Sequence, residues 1–581
     1  MKRCPQCNRI ETDELAYCRV DGARLFNDSG SVSEDSGTRK LTSAQPVSEG
    51  DTSVLPHRTD ADFSRLTAPS TMPPEVAKPN STSVLSTPKR RRVLIVGGAI
   101  AFALLAMALL AVGYFSNDRK AKAIESIAVL PFENQSGNAD SEYLSDGLAE
   151  SLIYRLSQLS NLKVSPRSSV FRYKGKQIDA EKIGIELGVD AVMSGRLIQR
   201  GDNLTISIDL VDVRNKRTLW GEQFERKMSD LLATQRDISD AIAEKLQLRL
   251  SGNESKITKQ FTSNNEAYQL YLQGRYFWNK RSSENLKKAT ELMREATEKD
   301  PNFALAYAGL ADCYVVSYYY VGERPRELMQ FAKTYAAKAI ELDPTLAEPH
   351  TTIGEANWLL DWDKAGAEKE FQRAIQLNPN YPTAHHWYSR YLRGIGRLDD
   401  GFREIKRAEQ LDPLSLVIIN NVAEIDIDKG DLSAALKECQ RMIDLDPNFW
   451  AAHQTLGIVM VKQGRYDEAL SEAQKSVQLS NRSNASLALL GHVYGKLGRR
   501  SDAETVIKEL EQRYADKRAD SRDLAVVYVG LNDKDKAFAS LDRAFADHSV
   551  FLVFLKLEPL MEPLHGDARW NDLERHVGVS E

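Results

Sequence analysis

Cysteine is scarce in this chain, with five residues in 581. Cys4, Cys7 and Cys18 fall near the start, while Cys313 and Cys439 lie far apart in helical sequence, which excludes a disulfide framework. Net charge is slight, −5, so no basic field for a nucleic-acid backbone is laid down and nucleic acid is an unlikely partner. Histidine is rare, with nine residues. The adjacent pair His385-His386 has the wrong spacing for a shared metal, because ligands on one helix face lie three or four apart, so both read as groove or surface residues. No glycine-rich loop with a following lysine, no His-Arg-Asp, no Asp-Phe-Gly and no Walker sequence is present, which excludes a kinase or P-loop enzyme. The expectation is a non-enzymatic protein with no catalytic residues and no small-molecule substrate.

One long uncharged run stands out. Residues 93–115 read VLIVGGAIAFALLAMALLAVGYF. As a helix this run spans about 34 Å, enough for a membrane's hydrocarbon core. It lies too far into the chain to be a cleaved signal peptide. Lys89, Arg90, Arg91 and Arg92 precede it, and Arg119, Lys120 and Lys122 follow. That bias predicts a single-pass protein with its N-terminus in the cytoplasm and everything after the span on the other side. Residues 27–92 are rich in Ser, Thr, Pro and Asp without apolar periodicity before the basic cluster, and are expected to be a disordered linker.

Residues 125–250 alternate between strand and helix patterns. SIAVLPF reads as a strand ended by Pro131, and residues 141–159 carry a helical apolar stripe. A second strand is expected at 162–166 and a helix at 181–188, closed by Gly188. The stretch from Val189 to Arg226 alternates with turns at 200–203 and 214–216, which predicts an antiparallel meander, and a last helix is expected at about 230–248.

From residue 265 to 581 only paired helices are expected. Pro301, Pro344, Pro379, Pro413 and Pro447 mark the period, and Asn481 takes the next place; the intervals are 43, 35, 34, 34 and 34 residues. Small residues recur before each marker, as in Ala332, Ala336 and Ala339 or Ala367 and Ala374, the latter pair with the larger Phe371 between them to fill the gap. Antiparallel helices cross closely only where the contact is small, and proline stops the second helix. No such hairpin buries its apolar face alone, so copies must stack. The pattern resembles the tetratricopeptide family, with about eight copies and about nine extra residues between the helices of the second. The whole is therefore expected to be an α+β multidomain chain, mainly α. The inner faces of the first helices are expected to present His386, Arg390, Asn420, Asn421, Glu424, Gln454, His492 and Lys496 to a protein partner, with the groove centred between Pro382 and Lys496.

Two further resemblances place this array. The α/β segment, through Pro131-Phe132, Ser145-Asp146-Gly147-Leu148 and Leu219-Trp220, resembles the TolB-like amino-terminal domain, related to the FlgO domain. Bacterial chains of that type place it between a membrane span and tetratricopeptide repeats, which implies an inner-membrane protein with extracytoplasmic C-terminal domains and a sensory or adaptor role. In residues 1–26, Cys4 and Cys7 form a C-x2-C pair, and Cys18 with Asp21 supplies a second pair; sulfur-rich tetrahedral sites suit structural zinc, although Asp21-Gly22 also reads as a plain turn. The stretch resembles short zinc-ribbon modules that carry Cys-x2-Asp-Gly. The functional expectation is a membrane-anchored interaction scaffold or signalling adaptor; a membrane-tethered transcriptional or signalling regulator with the knuckle as cytoplasmic effector is the alternative.

Overall fold

The computed structural model describes residues 2–3, 10–11, 26–27, 124–138, 141–159, 161–176, 179–245, 259–321 and 325–578. The expected span at 93–115, the linker before it and the candidate zinc ligands Cys4, Cys7, Cys18 and Asp21 lie outside these residues. Among the described residues no helix is long and apolar enough to cross a membrane, and no group of three or more His, Cys, Asp or Glu could hold a metal.

The α/β domain is built on a mixed sheet. Strand Ser126–Val129 runs parallel to Lys163–Val164 on one side and to Ala191–Arg200 on the other. Ala191–Arg200, Asn203–Asp212 and Arg217–Lys227 then form the antiparallel meander. The chain turns at Gly201, φ 62°, and at Lys216, φ 52°, the positions that close the two hairpins. Gly195 leaves room for the ring of Phe132, since a Cβ there would lie 2.7 Å from it. Helix Glu142–Ser157 covers the sheet with Leu144, Leu148, Leu152 and Leu156, all fully buried. A short helix, Arg167–Phe171, has no counterpart in the sequence reading: five residues are too few for a periodic stripe.

Eight helical hairpins follow among the described residues, from Asn265–Asn279 with Ser283–Lys299 to Ser521–Gly530 with Lys534–Ala546. The chain is mainly helical, a tetratricopeptide-type array carrying a small sheet domain. The second hairpin differs from expectation. Its extra length lies in the helices themselves, Ala304–Val321 and Pro325–Leu342, each of 18 residues against 13 and 14 in the third, and only residues 322–324 separate them. Each regular hairpin reverses through a left-handed residue: Trp362, Gly396, Gly430, Gly464, Gly498 and Asn532 all have φ between 52° and 83° and recur every 34 residues. Glycine suits that conformation because it has no Cβ to clash. Trp362 is the bulky exception. Stops between hairpins are also uniform: Asp300, Asp343, Asn378 and Asp446 each accept a hydrogen bond from the backbone N–H two residues on, at 2.9–3.1 Å.

The sheet domain and the first repeats share one core. Ala267, Tyr268, Leu272, Phe303 and Leu346 are buried in the same cluster as the sheet residues. Gly147 permits this approach, since a Cβ there would meet Leu272 at 3.1 Å. Past the last hairpin the chain forms two 3-10 segments, Leu552–Leu557 and Pro559–Leu564, and a final helix, Ala568–Val577.

Candidate functional site

The first helices of the hairpins meet two different occupants. The N-terminal ends of early first helices, up to the fifth hairpin, lie beside the α/β domain, and the C-terminal ends of several meet the segment that follows the last hairpin. Asp412, the stop residue after the fourth hairpin, accepts from Ser168 at 2.5 Å and Ser169 at 3.4 Å across this domain contact, and burial lifts its carboxyl to about 6. Asn380 donates to the Leu159 carbonyl at 3.3 Å.

Between the domain and the repeats lies a cavity of about 450 Å³, lined among others by Glu150, Tyr271, Arg275, Asp312, Glu348 and His386. Glu150 accepts from Arg275, Arg167 and Asn279 at 2.7–3.0 Å, and the two guanidiniums together with the amide hydrogen bond hold its carboxyl low against the cost of burial. Arg275 also reaches Asp312 at 3.4 Å. Burial raises Asp312 to about 6 and Glu348 to about 7, with the neighbouring Asp312 adding to the latter. A larger cleft, about 790 Å³, lies on the α/β domain itself, where Lys174 pairs with Glu142 and Asp146, and Arg196 with Asp209.

At the other end the C-terminal segment folds back onto hairpins three to eight. Phe554 packs edge-on against Trp358 with centroids 4.7 Å apart, and the Arg390 guanidinium lies 5.3 Å from its ring. Val550 and Val553 are buried in the same cluster as Trp358 and Tyr391. His548 stacks on Trp362 at 3.9 Å and lies 3.0 Å from the Leu360 carbonyl through Nε2. Lys462 binds Glu562 at 2.5 Å, and Arg522 pairs with Glu558. The left-handed Trp362 is thus the residue against which the returning segment stacks.

The expected groove residues divide accordingly. His386 is buried and lines the cavity, where burial and Arg390 push its imidazole down to about 3. Arg390 donates to Glu355 at 2.6 Å. Asn420, Asn421 and Glu424 form one cluster: Asn420 and Asn421 donate to Glu424 at 2.8 and 3.4 Å, Thr455 donates to Asn420 at 2.8 Å, and Arg393 donates to Glu424 at 2.6 Å. Gln454 and Lys496 are half-buried. His492 is not a groove residue. It is fully inside, its Nδ1 lies 2.9 Å from the Val526 carbonyl, and burial lowers it to about 4. The close approach of Gly495 and Gly530, where a Cβ would lie 2.4 Å from backbone, draws hairpins seven and eight together around it. His385 is likewise structural: it bonds Glu404 at 2.6 Å and the Pro379 carbonyl at 3.1 Å, and His453 repeats this with Glu472 and Pro447. Glu348, Asp312, Trp362 and Phe554 were not singled out by the sequence. The available signal was Trp362, which occupies a glycine's place in the 34-residue period.

Comparison with known proteins fits this architecture. The family described as HilA/YgeH-like transcriptional regulator, second domain, matches residues 122–244, the region expected from sequence to be a TolB-like domain. A tetratricopeptide repeat family matches residues 426–475. That match covers the second helix of the fifth hairpin and most of the sixth, and the other hairpins repeat the same helix-turn-helix form. The putative adenylate cyclase 3 of Rhizobium meliloti (strain 1021) is 32% identical over 244 residues, 41% of this chain and 41% of that protein. The transcriptional regulator HilA of Salmonella typhimurium is 25% identical over 295 residues, 50% of this chain and 51% of that one. The chain thus spans about half or less of the curated relatives it matches. The solved structure of Pseudomonas aeruginosa pilF is 18% identical with a TM-score of 0.30, over 37% of this chain and 93% of that one.

Proposed function

We propose that this protein is a non-enzymatic adaptor whose repeats take an extended, aromatic-bearing segment of a protein partner on the C-terminal halves of their first helices. The observation that carries this reading is the chain's own segment 548–564, which uses that surface through Phe554, His548 and Glu562. It acts as an internal stand-in, so partner binding requires its release. Tetratricopeptide repeats support protein recognition generally, because stacking leaves long contiguous faces of inner helices. The test is binding of a synthetic peptide of residues 548–564 to the full chain carrying Phe554→Ala. Saturable binding to the variant and weaker binding to the unaltered protein is expected; equal or absent binding to both contradicts the reading.

In the cell, the proposal sets this unit on a single-pass anchor at 93–115 in a bacterial inner membrane, with the N-terminus in the cytoplasm. An active cytoplasmic reporter fused after residue 581 would overturn that topology. Cys4, Cys7, Cys18 and Asp21 are proposed to hold one structural zinc at the cytoplasmic end, testable by metal analysis of Cys4→Ser. The match to HilA favours a second reading, in which the chain is a membrane-tethered transcriptional or signalling regulator. Under that reading residues 1–26 act as a cytoplasmic effector, and deleting them abolishes the output while leaving the repeat partner bound.

A further inference from the structure

The cavity between the α/β domain and the repeats contains polar atoms that lack a hydrogen-bond partner. Glu348 Oε2, His386 Nε2 and Trp278 Nε1 all belong to residues that line it, and none has a partner in the protein. Buried polar atoms are almost always satisfied, so three around one void are unusual. His386 is more than nine-tenths buried.

The charges around the void decide what could satisfy Glu348. Arg167 and Arg275 are both committed to Glu150, and Arg275 additionally faces Asp312. Arg281 lies over Trp278, its Cζ 3.6 Å from the ring centre. His386 stays uncharged at neutral pH, so it supplies no counter-charge. Glu348, itself only partly buried, therefore lines the void together with two further acids, Asp312 and Asp412, and no cation is bonded to its inner oxygen Oε2. The walls beside it are aromatic, with Tyr154, Tyr271 and Tyr381 lining the same space. A carboxylate among aromatic faces is a setting that favours an organic cation, since both the charge and the ring faces attract it.

We infer that this cavity binds a small organic amine, with its ammonium on the Glu348 carboxylate and its carbon frame against the tyrosine walls. The site is separate from the surface taken by the C-terminal segment. It would make docking of the α/β domain onto the repeats responsive to a small molecule, because both parts supply its walls. Binding selects the ionised form of Glu348, which burial otherwise keeps partly protonated near neutral pH. Amine uptake at pH 7 should therefore release a fraction of a proton from Glu348 and Asp312, while Glu150, Arg275 and His386 keep their charge states.

The test is calorimetric titration of the full chain with phenethylamine, with phenylacetate and 2-phenylethanol as charge controls. Saturable binding of the amine, none of phenylacetate and a loss of at least about tenfold in Glu348→Gln are expected, tenfold being a clear free-energy step. The heat should differ between Tris and phosphate buffers at pH 7 through the released proton. Binding of phenylacetate in place of the amine would show an anion site and overturn the inference, as would no amine binding at millimolar concentration. If Glu348→Gln fails to fold, the buffer comparison on the unaltered protein decides, and buffer-independent heat contradicts the role of Glu348.

Discussion

Replacing Trp362 by glycine separates the two roles of that residue. Its backbone sits at φ 57°, where the matching position of four later hairpins carries glycine. The left-handed conformation costs a residue with a Cβ about 1 kcal/mol, and glycine removes that cost while adding a similar entropic one. The turn of the third hairpin should therefore change little. The stacking on His548 at 3.9 Å and the contact with Phe545 at 6.0 Å are lost. Aromatic pairing contributes about 0.5–1.5 kcal/mol beyond burial, and the half-buried indole adds a comparable area term, so docking should weaken by about 2–3 kcal/mol. That corresponds to roughly a 30- to 150-fold rise in local opening of the C-terminal segment. Hydrogen exchange of the full-length protein reads this directly. Amides in 548–564 should exchange faster, whereas those of helices Lys364–Leu377 and Leu398–Leu411 should not. Uniform acceleration, or protection of 548–564 unchanged, would refute the assignment of Trp362 as the docking residue.

Two other predictions concern the interface between the domain and the repeats. Glu348 has its carboxyl raised to about 7 by burial, so the folded state holds its proton more tightly than the unfolded one, whose ordinary value is 4.5. The cost of burying its charge is then present above pH 7, shrinks as pH falls through 7 and vanishes below about 4.5. Glu348→Gln should stabilise the protein at pH 8 by about 1–2 kcal/mol, the larger linkage value being discounted for solvent in the cavity, and by almost nothing at pH 4.5; urea midpoints at the two pH values check this. His386, held down to about 3, has the opposite pH dependence but contributes equally to both proteins and cancels. Asp412→Ala should cost about 1–3 kcal/mol, because Ser168 and the buried Ser169 lose their acceptor, and limited proteolysis should show residues 161–176 cleaved first.

Much of this architecture was legible because it rests on local periodicity. The 34-residue spacing of stop residues, the small residues at helix crossings and the alternating meander each follow from contacts within one or two hairpins. The site was less legible because it joins residues far apart in sequence. Glu150 meets Arg275 and Asn279, Ser168 meets Asp412, and Phe554 meets Trp358. No periodic pattern encodes such pairs. Inner-face polarity was likewise ambiguous: Asn420 and Glu424 stand among polar neighbours, whereas His492, two 34-residue repeats on from Glu424 in the same frame, seals a core. The difference comes from Gly495 and Gly530, whose closeness depends on how two hairpins meet.

The central claim is that the C-terminal segment and a protein partner compete for one face of the repeats. Photo-crosslinking in cells from position 390, beside Phe554, tests it most directly. The unaltered chain should give mainly an intramolecular product with residues 548–564, and Phe554→Ala should shift the yield to a discrete intermolecular adduct. Identical products from both chains, with no adduct gained when the segment is loosened, would contradict the account.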